Sequence, residues 1–356
     1  MNLPQDIRIG YVPLTTTMQG PGDRRRFLTY AHERGLKFEI AKPSERYDLV
    51  VLSELADISV WCDYAHGKIV YDLTDSYLAV PRSDWKQWLR GPVWFLFGRY
   101  RRLQLDHWKA IRSMCNRADA VVCTTKEQRS HILPNNVNVH IILDVHDFVS
   151  EPCKDDYRSG LPFNLVWEGL PSNLYQLRLL KNVLKEVNKV HPLVLNIITD
   201  LYFPRFMGRF GRVKTLDIAV DFFDFVRLHP WSQESWCRVV RECDLAVIPI
   251  NLDDPFVSGK PENKLILFWR MGIPVITSTT PAYQNAMDGA KIKGFTCCDE
   301  LEWVNKLIKV IRDETCRREA GTQGRLYSEA LYSKASIIKK WDSVFSSIGF
   351  NLNNLQ

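Results

Sequence analysis

Short apolar runs rich in Val, Ile, Leu and aromatic residues alternate with stretches of helical period through both halves of the chain. This alternation confines the chain to an α/β fold built on parallel sheets. In the first half, strands are predicted at residues 7–13, 36–41, 47–53, 68–73, 119–125 and 139–144, with helices between them. A proline- and charge-rich stretch, residues 150–162, then breaks the pattern and reads as a linker. The pattern restarts with strands at 163–169, 193–200, 222–228, 243–250 and 273–278, and with helices over 173–188 and 261–271. A length of 356 residues suits two domains, each with its own core. The expected division is 1–155 and 156–325, each a Rossmann-like doubly wound domain, with 326–356 as a C-terminal helix. Such sheets bind ligands beyond the carboxyl ends of their strands, so two of them facing each other place the site in the cleft between.

Composition removes several alternatives. With 46% hydrophobic and 25% charged residues and only 18 Gly and 18 Pro, the chain is neither collagen-like nor largely disordered. No apolar run approaches the roughly 18 residues of a membrane span. The amino terminus, MNLPQDIRIGYVPL, lacks the basic segment and apolar core of a secretory signal, so a cytoplasmic location is expected. The nine cysteines include no C-x-x-C pair and no zinc-finger spacing, which predicts neither disulfides nor structural zinc.

The formal net charge of +6 is concentrated in one place. Residues 82–112 hold eight Lys or Arg, among them Arg90, Arg99, Arg101 and Arg102, against Asp84 and Asp106. Interleaved with these are amphipathic aromatics that include Trp85, Trp88, Trp94 and Trp108. That mixture suits an anionic membrane surface on the inner, cytoplasmic side. The plainer alternative is a long solvated helix whose aromatics pack on its own domain. Nucleic acid is not expected, because no recognised binding signature or second basic block accompanies the stretch.

The densest local signal is SGKPENKLILFWRMGIPVITSTTPAY, residues 258–283. Pro261 suits a first helical position, Glu262 the positive first turn, and Gly272 followed by Pro274 a helix stop. Free backbone N–H groups at the start of such a helix form an anion site, which Lys260 and Lys264 flank and where Glu262 can accept bonds from sugar hydroxyls. The competing reading has solvated lysines and a Glu262 that only complements the dipole.

This segment resembles the donor-binding region of GT-B glycosyltransferases, especially the retaining, nucleotide-sugar-dependent kind found in bacterial polysaccharide assembly. The likeness continues through HIILDVHDF (140–148), VWEGLPSN (166–173), HPWSQESWCRVVRECDLAVIPI (229–250) and YSKASIIKKWDSVFSSI (332–348). The last of these is similar to a C-terminal helix that returns to the first domain. The resemblance implies a donor site drawn from Gly20, Gly169, Ser172, Arg205, Lys260, Glu262, Asn263 and Lys264, with no cofactor and no metal. The pattern also departs from the family. The paired glutamates of many retaining members, eight positions apart, fall here on Gly259 and Leu267, and Leu170 stands where a basic residue is usual.

In the first domain Gly20 and Gly22 follow the first strand in TTTMQGPGDRRR, like the glycine loops of GT-B enzymes, although the spacing is not a dinucleotide fingerprint. Asp72 and Asp75 lie at the end of a predicted strand, where an Asp can hold acceptor hydroxyls, act as a base, or merely cap a turn. With Lys264 they form the expected catalytic set, and Trp85, Arg90, Trp94, Arg99, Arg101 and Arg102 the expected membrane or acceptor contact. Together these readings point to a glycosyltransferase moving sugar from a nucleoside-diphosphate donor to a glycan or lipid-linked glycan, with retention. The alternatives are a non-catalytic subunit or a nucleotide-sugar epimerase of the same fold.

Overall fold

In the computed structural model, which describes residues 7–149, 152–204 and 211–351, the alternation becomes two separate six-stranded parallel sheets. The chain divides into two units: Met1–Val145 with Gly259–Pro261 and Lys334–Gln356, and His146–Ser258 with Glu262–Ser333.

The first unit runs β1 (Ile9–Val12), α1 (Pro21–Arg24), α2 (Phe27–Glu33), β2 (Glu39–Ile40), β3 (Leu49–Ser53), α3 (Ile58–Trp61) and β4 (Lys68–Asp72). It continues with α4 (Trp85–Leu96), α5 (His107–Arg117), β5 (Ala120–Cys123), α6 (Lys126–Ile132) and β6 (Val139–Ile141). The strand order is β2-β1-β3-β4-β5-β6. Leu49, Val50, Val51 and Leu52 are all fully buried, as a strand covered by helices on both faces requires. The order changes direction between β1 and β3, the topological switch point of this sheet.

The second unit runs β7 (Phe163–Glu168), α7 (Lys181–Val190), β8 (Leu193–Thr199), β9 (Tyr202–Pro204), β10 (Arg212–Lys214), α8 (Thr215–Val220), β11 (Val226–Pro230) and α9 (Gln233–Glu242). Then come β12 (Leu245–Ile248), α10 (Pro255–Ser258), α11 (Asn263–Arg270), β13 (Val275–Ser278), α12 (Pro281–Gly289), β14 (Thr296–Cys297), α13 (Glu300–Arg312) and α14 (Glu314–Leu331). Its main sheet is ordered β11-β8-β7-β12-β13-β14, with the switch point between β7 and β12, while β9 and β10 form a separate antiparallel pair. The last helix, α15 (Lys334–Ser347), belongs to the first unit. Its Trp341 and Phe345 are fully buried, and the Phe345 ring stacks on Tyr30 at 5.0 Å.

Several expected elements shift for identifiable reasons. The helix expected over 173–188 begins as a 3₁₀ stretch, Pro171–Leu180, and becomes α-helical only at Lys181. Leu174, Leu177 and Leu180 recur every three residues and are all buried, which is the repeat of a 3₁₀ helix. The strand expected at 222–228 begins at Val226. Phe222 and Phe223 instead close the turn after α8, both donating their N–H to the Ala219 carbonyl. The helix expected from Pro261 starts at Asn263 with Glu262 as its N-cap, so neither Pro261 nor Glu262 lies in its first turn, while Gly272, at φ +74, ends it as expected.

The expected linker is not free chain. Lys154 N–H donates to Met271 O at 2.8 Å, Tyr157 Oη donates to Gly272 O at 2.8 Å, and Arg317 donates twice to Tyr157 O. These bonds bind the segment to the second unit, so the units divide after Val145 rather than at 155, and after Ser333 rather than at 325.

The first unit is tied together by a buried ion cluster. Arg26, 1% exposed, donates to both oxygens of Asp72 at 2.7 and 2.6 Å, to Asp144 at 3.2 Å and to Ile142 O at 3.0 Å. Replacing Asp72 with Ala strands a buried guanidinium, and the expected loss is about 3–5 kcal/mol, measured as a lower urea midpoint. An unchanged midpoint would show that the pair does not hold the unit together.

Candidate functional site

Each sheet carries a cluster of polar groups beyond the carboxyl ends of its central strands. In the first unit the loop after β1 is fixed by Asp23, fully buried, which accepts from Tyr11 Oη, Leu14 N, Thr15 N and Thr15 Oγ1 at 2.6–3.0 Å. Gly20 lies on this loop, close-packed: a Cβ there would meet Thr15 Cγ2 at 3.0 Å.

Asp72 does not face a ligand. Arg26 takes both its oxygens, and the residue is 6% exposed, so its expected place in the reacting set gives way to a role in the ion cluster. Asp75 is placed differently. Gln128 Nε2 donates to Leu73 O at 2.6 Å and to Asp75 O at 3.0 Å, and Thr124 Oγ1 donates to Thr74 O at 3.0 Å. Glu54, immediately beyond β3, accepts the Asp75 N–H at 2.9 Å and the Thr74 hydroxyl, both on Oε2. The turn is thereby held from three sides, while the half-buried Asp75 carboxylate accepts no hydrogen bond among the described residues. Burial and the neighbouring Asp75 charge push Glu54 up to about 8. Burial also raises Asp75, against the opposing pull of Lys260 and then Arg90. Lys260 belongs to the short segment grouped with this unit, where Ser76 Oγ donates to Gly259 O at 2.8 Å.

In the second unit Lys264, on the first turn of α11, donates to Glu168 O at the end of β7 at 2.8 Å, with Nζ 5.0 Å from the Trp167 ring. Gly169 permits this approach, since a Cβ there would lie 2.6 Å from Lys264 Nζ and 2.8 Å from the Trp167 ring. Glu262 Oε1 accepts from Tyr332 Oη at 3.1 Å. Burial, then Glu262 and Glu168, raise the Tyr283 hydroxyl, which places both carboxylates near it. The loop after β12 is held by Ile250 N–H to Ser278 Oγ at 2.8 Å and Asn251 N–H to Gln176 Oε1 at 2.7 Å. Gln176 Nε2 beneath it is buried with no hydrogen-bond partner among the described residues. Asn263 opens α11 and is half-buried, Ser172 is exposed at the start of the 3₁₀ stretch, and Arg205 lies outside the described residues.

The structure thus groups Asp75 and Lys260 in one unit, and Gly169, Glu262, Asn263 and Lys264 in the other. Glu54, Arg26, Glu168, Gln176 and Tyr332 were not anticipated from sequence. Glu54 and Glu168 were within reach, each closing or following a predicted strand where ligands gather. No group of three or more His, Cys, Asp or Glu among the described residues is arranged to hold a metal.

The basic aromatic stretch is two helices joined by a turn rather than one long helix. Residues 85, 88, 89 and 96 form one stripe of α4, and Trp85, Trp88, Leu89 and Leu96 are 64, 40, 49 and 79% exposed. Its buried face carries Gln87 and Gly91. Arg99, Arg101 and Arg102 are exposed. Arg90 and Trp94 turn inward instead: Arg90 lies over the Tyr77 ring at 4.7 Å, and Trp94 packs on Tyr100 and His107. Burial, then Arg90, holds the His107 imidazole down at about 3.

No family model matches the sequence, and no curated protein matches it. Solved structures do match. A variant of S. aureus TarM in complex with Fondaparinux, alpha-GlcNAc-glycerol and UDP superimposes with a TM-score of 0.57 at 13% identity, over 83% of this chain and 55% of that one. The chain therefore spans about half the length of TarM. A glycosyltransferase from Rickettsia africae matches with a TM-score of 0.59 at 12% identity, over 96% of this chain and 98% of that one. A putative UDP-N-acetylglucosamine 2-epimerase from Listeria monocytogenes matches at 0.54 and 9% identity, over 96% of each chain. The fold these likenesses show is GT-B, two Rossmann-like α/β units.

Replacing Gly169 with Ala forces the new methyl against the Trp167 ring and the Lys264 ammonium. An expected cost of about 1–3 kcal/mol follows from overpacking, read by thermal unfolding, together with weaker binding of any anion seated at α11. Wild-type stability in that variant would show that the end of β7 yields easily.

Proposed function

We propose that the protein is a glycosyltransferase that takes a sugar from a nucleoside-diphosphate donor and passes it, with retention, to a glycan or lipid-linked glycan. The observation that carries this reading is the Lys264–Glu168–Gly169 contact at the switch point of the second sheet. There the amino terminus of α11, a fixed ammonium and a close-approaching glycine backbone meet at the place where such sheets bind ligands. A departing diphosphate gains negative charge as the sugar leaves, and a preorganised cation and helix terminus stabilise that charge without reorganising. Glu262, held by Tyr332, is the acceptor for donor hydroxyls in this reading. Retention rests on the resemblance of residues 258–283 to retaining enzymes. The matched structure of TarM with UDP supports a nucleotide donor, and its glycan ligands support a glycan acceptor.

The test is a thermal-shift panel of UDP, GDP, ADP, CMP and TDP on wild type and Lys264→Met. A nucleotide present at about 100 times its Kd stabilises by roughly 2.7 kcal/mol. One nucleotide is expected to shift wild type and to lose most of that shift in the variant; no shift with any of them would overturn the donor site. The epimerase neighbour favours a second reading, in which the nucleotide sugar is converted with no acceptor present. Product analysis with and without a glycan acceptor separates the two.

The outward apolar stripe of α4, with polar Gln87 on its buried face, inverts the usual arrangement of a surface helix. Together with the exposed Arg99, Arg101 and Arg102 it fits an anionic lipid surface, and we assign peripheral membrane contact at the cytoplasmic face to it. Wild type is expected to sediment with phosphatidylglycerol vesicles at low salt and not with phosphatidylcholine. The Trp85→Ser/Leu96→Ser double variant should remain in the supernatant, and equal partition of both proteins would remove the assignment.

A further inference from the structure

We propose that Arg90 is a positioning residue: from the inner side of α4 it holds, through the Tyr77 ring, the turn that carries Asp75, and so joins the outward stripe of that helix to the carboxyl end of the first sheet. The role of Asp75 rests on the glycosyltransferase reading and that of the stripe on the membrane assignment; the joint between them rests on neither.

The joint is a series of direct contacts. Asp75 O accepts the Tyr77 N–H at 3.0 Å as well as Gln128 Nε2, so the Tyr77 backbone closes the turn on which the Asp75 carboxylate stands. The buried Tyr77 ring lies under the Arg90 guanidinium at 4.7 Å and meets the His107 ring edge-on at 5.5 Å. The same guanidinium lies 5.8 Å from the Trp94 ring, and Trp94 packs on His107 at 5.2 Å. A cation over two ring faces is attracted by both, more strongly where water is scarce. Both nitrogens of His107 are buried without a hydrogen-bond partner among the described residues, and burial, then Arg90, keep the ring neutral, so it serves the joint as a flat wall. At 3.6 residues per turn, Arg90 projects away from the stripe formed by residues 85, 88, 89 and 96. Its backbone is anchored one residue on, at Gly91, where a Cβ would come within 2.0 Å of Gln104 O. α4 is thereby seated closely on the chain ahead of α5, and the guanidinium has a fixed origin from which to reach Tyr77. Burial raises Asp75 while Lys260 and then Arg90 oppose the rise, which puts the Arg90 charge within electrostatic reach of that carboxylate. A body seated on the stripe of α4 thus restrains the Asp75 turn through one cation and one ring.

Amide exchange of the full chain, read by mass spectrometry over residues 73–79 and over β5 as a control, tests the joint without reference to activity. Arg90→Met should exchange about fivefold faster than wild type over 73–79 and equally over β5, and Arg90→Lys, which keeps a cation for the ring, should restore most of the protection. Should Arg90→Met lose protection throughout, Arg90→Gln takes its place with the same expectation. Equal protection over 73–79 in wild type and the uncharged variant, or equal loss over 73–79 and β5 in Arg90→Gln, would overturn the positioning role. Phosphatidylglycerol vesicles should slow exchange over α4 and over 73–79 in wild type, but over α4 alone in Arg90→Met; slowing of both segments in both proteins would overturn the coupling. With UDP-glucose, UDP-N-acetylglucosamine and GDP-mannose as donors and water as acceptor, Arg90→Met should lower kcat about tenfold and leave the donor KM within about threefold, and Arg90→Lys should recover kcat. A loss confined to KM would overturn the link to Asp75. If wild type does not bind the vesicles, the membrane assignment and the coupling fall together; if it hydrolyses none of the three donors, the glycosyltransferase reading falls. In either case exchange without vesicles still decides whether Arg90 holds the turn.

Discussion

The Arg26 guanidinium is the constraint on which the first unit depends. It links the junction of α1 and α2 to the end of β4 through Asp72, and to the chain beyond β6 through Asp144 and Ile142 O. Arg25 O accepts the Val145 N–H at 2.8 Å beside it, so the last residue of the long first segment is fixed by the same corner. Burying such a cluster brings little net stability, but it allows very few arrangements of the strand ends around it. The loop after β1, held from its own side by Asp23, is positioned by the same short helix. Asp72 thus carries a burden of architecture, whereas the carboxylate of Asp75, three residues on, accepts no hydrogen bond among the described residues.

That division of labour recurs in the second sheet. Lys264 donates to a main-chain carbonyl, which fixes the position of its ammonium at the end of β7. Glu262 accepts a hydrogen bond from the Tyr332 hydroxyl, which fixes its carboxylate beside α11. In both units, local hydrogen bonds fix polar groups beside a switch point.

The sheets were legible in the sequence because continuous apolar runs of four to seven residues have few other uses in a chain of this composition. The stop at Gly272 was legible for the same kind of local reason. What failed was anything governed by distant partners. Nothing near Asp72 announces Arg26, forty-six residues away, and nothing in 150–162 announces that Tyr157 will bond the turn after α11. The 3₁₀ stretch was misread because Leu174, Leu177 and Leu180 also fit one face of an α-helix over so short a span. Lys264 and Asp75 stand out in the sequence because each lies where strand, loop and helix signals intersect. Glu54 was overlooked although the strand before it was placed correctly, since one carboxylate at a strand end is common and its meaning came only from Asp75.

The discontinuity of the first unit has a consequence for synthesis. Its core includes Ile337, Trp341, Val344 and Phe345 of α15, all wholly buried, with the Trp341 and Phe345 rings lying against Phe27 and Tyr30. Those residues leave the ribosome after every strand of the second sheet. The unit translated first is therefore the one completed second, and until then α2 presents an uncovered aromatic face to the cell. A nascent chain in that state is an obvious client for chaperones that hold exposed apolar surface.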